Sequence, residues 1–319
     1  MATINKKYLL TNLVTVVIIL TIIEVAARII LKKTYNRNFD STLIVDNKYY
    51  TSAGLKENAS GMVWGKAFHT DSTGCRRPSK SYINTKKKWL FIGDSVTEGV
   101  GVDDSSTFSS LVFRNTDSFN ILNYSLIGYS VADYLNVLKT VLNKNDSSIK
   151  KATIFFCLND VYGKALFNQL PVMAKTNMIG KLNAFLQSHY YTYKLLKLTV
   201  FRNSDRYFQY DFQFYKDNSP YFTSAMNTLK QCDSVCHLAG VEMNVVVLPY
   251  RLQVCGKDIG NNIPQDLIGK FCSANKIPCS NPLKYLSEQQ NPEKFYLFAD
   301  EIHLSEKGHS AVARFILSH

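Results

Sequence analysis

The sequence predicts an α/β fold built on a doubly wound parallel sheet, and two observations carry that expectation. Trp89-Leu90-Phe91-Ile92 is a short apolar run that ends in Gly-Asp-Ser and precedes a helical pattern in which Phe108, Leu111 and Val112 share a face. The same rhythm of apolar run and helix recurs around Ile121-Leu122 with residues 131–142, at 153–157 with a following loop, and at 241–248 after a helical stretch at 224–238. Such an alternation places the functional side chains at the carboxyl ends of the strands.

Each segment can be justified in chain order. From Tyr8 to Ile23 there is no charge, and apolar character continues to Leu31 past Glu24 and Arg28. A helix over residues 8–27 is about 30 Å long, enough to span the hydrocarbon core of a bilayer. Glu24 then sits near an interface, where a charge costs less than at the centre, and Arg28 lies one turn away to pair with it. The expectation is a membrane anchor over residues 1–33. The competing reading is a cleaved signal peptide with Lys6-Lys7 as its basic region and Val25-Ala26-Ala27 as its cleavage site. The apolar run exceeds the roughly 7 to 15 residues usual in such peptides. Counted alone, Arg28, Lys32, Lys33 and Arg37 outweigh Lys6 and Lys7, which would direct the bulk of the chain to the cytoplasm.

Residues 34–88 are polar and punctuated by Gly54, Gly61, Gly65 and Gly74, which reads as a loop-rich connector. The main domain is expected over 89–319. Within it, from about 161 to 223, the strand rhythm is lost and aromatics crowd in, among them Tyr190, Tyr191, Tyr193, Phe201, Phe208, Phe214 and Tyr215. This reads as a helical insertion that packs its aromatics on the main domain; a lid or acceptor platform is the functional alternative.

Composition excludes several function classes. Of the net charge of +12, the first 38 residues supply six Lys/Arg against one Glu. What remains is diffuse, and Lys86, Lys87 and Lys88 lack the interleaved aromatics of nucleic-acid grooves, so no nucleic-acid partner is expected. The seven cysteines contain no C-x-x-C pair, and Cys232 and Cys236 beside His237 read as helix packing rather than as metal ligands. Cys255, Cys272 and Cys279 leave a disulfide open if that part of the chain meets an oxidising compartment.

The chemistry concentrates in two short segments. A serine hydroxyl needs a base to take its proton, and that base needs a carboxylate to orient it. Ser95 falls where a strand turns into a helix, whose N-terminal N–H groups suit a developing oxyanion. Asp300 and His303, three residues apart, can face one cleft, with Asp300 orienting His303 as base and then acid. Ser130, in Gly128-Tyr129-Ser130-Val131-Ala132, is a local competitor as nucleophile through its likeness to the G-x-S-x-G elbow. His309 reads as a packed residue at a helix start.

Gly93-Asp94-Ser95-Val96-Thr97-Glu98-Gly99 resembles the first block of the SGNH (GDSL-type) hydrolases. Gly128 follows in the position of the second block's glycine, Asn159 in that of the third block's asparagine, and Asp300 and His303 match the final D-x-x-H. The resemblance runs from about Trp89 to the C-terminus. It implies a five-stranded, flavodoxin-like sheet and an oxyanion hole formed by the N–H groups of Ser95 and Gly128 with the Asn159 side chain, and it calls for no metal or cofactor. Cys157 stands where the third block usually has glycine, which puts the presentation of Asn159 in question.

The N-terminal anchor, Thr73-Gly74-Cys75-Arg76-Arg77-Pro78 and Gly99-Val100-Gly101-Val102 further resemble the membrane-anchored members associated with bacterial envelope polysaccharides. That likeness implies an inner-membrane protein whose catalytic domain faces the periplasm. The expected function is hydrolysis of a small acyl ester, acetyl-type, on carbohydrate or lipid. Two alternatives stand beside it: O-acyl transfer to an envelope polysaccharide, and a non-catalytic carbohydrate-binding or assembly role for the aromatic insertion.

Overall fold

The computed structural model describes residues 6–78, 81–83, 86–163, 178–200, 205–216, 219–256 and 262–319. The chain divides into two compact units, Met1–Asn36 with Gln169–Asn203, and Arg37–Asn168 with Ser204–His319. In the first, α1 (Lys6–Thr34) carries the apolar run and is long and apolar enough to cross a membrane. The helices α5 (Met178–His189) and α6 (Tyr191–Thr199) belong to the same unit, and α6 packs on α1.

The second unit opens with two antiparallel hairpins, β1 (Ile44–Tyr49) with β2 (Ser52–Leu55) and β3 (Ser60–Val63) with β4 (Lys66–His69). The connector expected to be loop-rich thus contains four strands. They are too short to show a period, and glycines stand inside two of them.

The sheet that carries the site comprises β5 (Lys87–Gly93), β6 (Phe119–Asn123), β7 (Ile149–Phe156), β8 (Glu242–Val247) and β9 (Cys279–Ser280). All neighbours run parallel in the order β6-β5-β7-β8-β9, which is the flavodoxin-like order with its switch point between β5 and β7. Leu90, Phe91 and Ile92 of β5 are all fully buried, as a strand covered on both faces requires. Phe91 and Phe155 meet Phe108 of α3 (Phe108–Asn115), so one set of alternating side chains faces α3 and the other set the opposite layer. On these layers α3 packs with α12 (Glu306–Ser318), and α4 (Val131–Leu142) with α8 (Pro220–Leu238). The last of these begins four residues before the expected start because Ser219 caps it, accepting from Phe222 N–H, and Pro220 fits its first turn.

The expected insertion is shared between the units. Tyr190, Tyr191 and Tyr193 belong with α1 to the first unit. Phe208 of α7 (Asp205–Phe212), Phe214, Tyr215 and Phe222 are buried in the core of the second, and Phe201 lies outside the described residues. Among the described residues all seven cysteines are free thiols. Cys272, on α10 (Ile263–Ala274), and Cys279 hydrogen bond each other, which holds Cys279 below the usual thiol range.

The turn after β5 is built by packing constraints. A Cβ on Gly93 would meet Thr97 Oγ1 at 2.2 Å and Phe155 O at 3.1 Å, so only glycine lets the chain fold back into α2 (Ser95–Glu98). Gly99 ends that helix at φ +81°, and a side chain there would strike Thr107 and the Arg76 guanidinium. Arg76 is buried and donates to the carbonyls of Glu98, Gly99 and Val102 and to Asp104 Oδ1. The two motifs that flank the first block in sequence are therefore one interaction in space.

Glu98 is fully buried, with Oε2 accepting from Ile127 N–H at 2.6 Å and Oε1 unpartnered. Burial, partly offset by Arg76 and the Ile127 N–H, pushes its carboxyl up to about 8 from 4.5. Across that window the folded carboxyl keeps a proton that the unfolded chain has lost, so stability falls as pH rises, by up to about 1.4 kcal/mol per pH unit for one proton. The loss is complete above the folded value. Glu98→Gln removes this term: its unfolding free energy, from chemical denaturation across the window from 4.5 to about 8, is expected to vary less with pH than that of the parent. Equal slopes would refute the assignment.

Candidate active site

Three neighbouring strands deliver the expected residues to one sheet edge. Ser95 follows β5, Gly128 lies in the turn after β6, and Asn159 lies in the 3-10 turn after β7. Asp94 caps the helix that Ser95 begins, accepting from Val96 N–H at 2.9 Å. Gly128 has φ +81°, a backbone state that an L side chain rarely takes.

The C-terminal segment completes a bonded line. Ser95 Oγ is 2.9 Å from His303 Nε2, and His303 Nδ1 lies 3.0 Å from both Asp300 oxygens. Asp300 Oδ1 also accepts from the backbone N–H groups of Ile302 and His303, so the turn that spaces the two residues is closed by the carboxylate itself. Glu301, between them, turns the other way: it is buried, accepts from Leu252 N–H, and pairs with Arg251 at 3.2 Å. One carboxylate orients the imidazole while its neighbour fastens the loop to α9 (Arg251–Cys255).

Two further residues reach the line, both from the segment before the sheet. Arg37 Nη2 donates to Asp300 Oδ2 at 2.8 Å and its guanidinium stacks 4.1 Å from the Trp64 ring. Trp64 in turn packs edge-on against the His303 imidazole at 4.5 Å. Trp64 and Gly65 form the two-residue turn between β3 and β4, with φ of 51° and 78°. Asn-Gly is the favoured occupant of such a turn, so the tryptophan holds the left-handed region at a cost in local strain. Sequence reading missed both residues. Arg37 had been counted only as flanking charge, and it lies 263 residues from its partner. Burial raises the Asp300 carboxyl, but the His303 charge and hydrogen bond, with Arg37 beside them, outweigh it and hold the group well below the usual carboxylate range.

Asn159 is supported from behind. Its Oδ1 lies 3.4 Å from the Tyr250 hydroxyl, which donates to Asp211 Oδ2 at 2.5 Å; Tyr162 donates to Asp211 Oδ1 at 2.5 Å. Burial, opposed by these two hydroxyls, leaves the Asp211 carboxyl raised to about 6. Cys157 has φ −96° and ψ 151°, an extended conformation open to any residue, so the missing glycine places no strain on the turn that bears Asn159.

The competing residues have structural roles. Ser130 starts α4, its N–H and hydroxyl both donating to Asp133 Oδ2, at 2.9 and 3.0 Å. His309 is buried, its Nδ1 accepts from Phe108 N–H, and burial lowers its pKa to about 3, so it stays neutral. Cys232 and Cys236 are buried on α8, and among the described residues no cluster of three or more His, Cys, Asp or Glu is placed to hold a metal.

A hydroxyl, an imidazole and a depressed carboxylate in line can pass a proton from oxygen to nitrogen while the charge that forms on the ring is balanced.

No family model matches the sequence, and no curated protein matches it. Among solved structures the chain is similar to TesA, at 14% identity and a TM-score of 0.44, over 73% of this chain and 97% of that one. It is also similar to a member of the lipolytic protein G-D-S-L family from Veillonella parvula, at 14% identity and a TM-score of 0.42, over 73% and 97% of the two chains. A third similar structure is Axe2, an acetylxylan esterase from Geobacillus stearothermophilus, at 15% identity and a TM-score of 0.44, over 73% and 93%.

Proposed function

We propose that this chain is a serine-dependent acyl-ester hydrolase of the SGNH (GDSL-type) family, anchored by α1 in a bacterial inner membrane with its catalytic unit in the periplasm. The observation that carries the reading is the continuous line from Ser95 Oγ to His303 to Asp300, with separations of 2.9 and 3.0 Å. In the first half-reaction Ser95 Oγ gives its proton to His303 Nε2 and bonds to the ester carbonyl carbon. The oxyanion is received by the N–H groups of Ser95 and Gly128 and by the Asn159 amide. Collapse breaks the ester C–O bond, and His303 returns the proton to the departing alcohol. Water repeats the sequence on the acyl-Ser95 ester, releasing the acid and restoring the serine. The substrate class is a small acyl ester, acetyl-type, on a carbohydrate or lipid alcohol.

Three outcomes test this reading. On a chromogenic acetate ester, Ser95→Ala is expected to abolish turnover and labelling by a serine-reactive phosphonate, and Asp300→Asn to lower kcat by about 10⁴-fold. Arg37→Met removes one charge-assisted hydrogen bond, worth about 1.5 to 3 kcal/mol, so its loss in kcat is expected near 10- to 100-fold, below that of Asp300→Asn. Full activity in Ser95→Ala would overturn the assignment.

Supplied with an acyl donor and a polysaccharide, the enzyme is expected to release free acid; acyl groups on the sugar would make it a transferase with the same residues. Protease added outside intact spheroplasts is expected to remove the catalytic unit, and its survival there would place that unit in the cytoplasm.

A further inference from the structure

The unit formed by α1, α5 and α6 contains a feature that the catalytic reading does not use. Helix α5 carries Met178, Ile179, Leu182 and Phe185 on one face, and they are 86, 78, 58 and 51% exposed. Exposure rises with distance from Tyr190, the single residue joining α5 to α6, and Lys181, Asn183 and Gln187 occupy the remaining arc.

The joint has a defined level on the anchor. Glu24 accepts from the N–H groups of Tyr191 and Thr192 at 2.5 and 2.9 Å, so the carboxylate inside the apolar run caps α6. Arg28 lies over the Tyr191 ring at 5.4 Å, and Lys194 over the Tyr35 ring at 5.3 Å. A span from residue 8 to 27 ends at this same height, about 30 Å along the helix. Tyrosines and basic residues gather there, as at the interface between hydrocarbon and water.

Charge identifies the surface that the face meets. Residues 178–200 contain Lys181, Lys194 and Lys197 and no acidic residue. Arg28, Lys32 and Lys33 adjoin them on α1, where the one carboxylate, Glu24, is taken up by the cap. An apolar stripe whose charged neighbours are all basic, fixed at the end of a membrane span, fits an anionic lipid surface.

We infer that α5 is an interfacial helix that lies in the headgroup layer of an anionic leaflet, stripe towards the acyl chains, as a second membrane contact beside the anchor. The inference rests on the reading of α1 as a membrane span. It gives α5 a lipid partner.

The test uses the full chain in nanodiscs of phosphatidylglycerol and phosphatidylcholine, with tryptophan reporters at Leu182→Trp and Phe185→Trp and the unsubstituted chain as background for Trp64 and Trp89. Lipids brominated high on the acyl chain are expected to quench both reporters about twofold, and deeply brominated lipids to do so less, as for a helix buried about 5 to 10 Å below the headgroups. Quenching is expected to weaken in phosphatidylcholine alone; equal quenching would overturn the anionic assignment. Leu13→Trp, in the middle of α1, separates the two readings. If deep bromines quench Leu13→Trp while neither α5 reporter responds, the interfacial helix is refuted and the anchor stands. If Leu13→Trp is also unquenched, the anchor itself is refuted. Reporters shielded from aqueous iodide only at high protein concentration, and never quenched by lipid, would assign the face to a second copy of the chain and overturn the inference.

Discussion

The Asp300 carboxylate holds the site together, because it performs three tasks that would otherwise need separate groups. It closes its own turn by accepting from two backbone N–H groups, it fixes the His303 ring, and it pairs with Arg37. A buried carboxylate with so many donors stays ionised despite desolvation, since each hydrogen bond and the nearby positive charges favour the charged form. The imidazole is thereby held in one orientation by a group that is itself held from three sides. Trp64 adds a wall against the other edge of the ring, and Arg37 couples the wall to the carboxylate by stacking on it.

Around the serine the same logic operates through backbone carbonyls. Arg76 collects three of them and an aspartate, so the chain leaving α2 cannot relax into another path. Gly93 and Gly99 are needed at the two ends of that helix because neighbours occupy the space a side chain would take. Glu98 ties the same short helix to Ile127, next to Gly128. The ends of β5 and β6 are thus joined by buried polar contacts whose partners sit far apart in sequence.

Much of this is legible in the sequence, and the reasons for the exceptions are physical. Helix α4 begins and ends where its pattern does, because its apolar positions keep their period from Val131 to Leu142. Ser95, Asn159, Asp300 and His303 were readable because each sits in a short motif whose local turn places it. Strand β9 has two residues and so no period at all. Arg37 and Trp64 act through tertiary proximity alone: an arginine in a basic flank looks like any other, and a tryptophan before a glycine looks like a loop. The aromatic insertion misled because its residues serve two different units, and only contacts reveal which aromatic belongs to which.

The pairing of Arg37 with Asp300 also bears on the order in which the site is assembled. Arg37 stands three positions beyond the last residue of α1, and its partner Asp300 follows 263 residues later, so the arginine is made long before the carboxylate. Strands β5, β6 and β7 can be made with Ser95 already in its turn, yet its hydroxyl meets no imidazole until the segment bearing His303 folds back. A chain made only as far as β8 therefore presents the Ser95 hydroxyl without its imidazole partner, and the bonded line forms only once residues 300–303 have joined it.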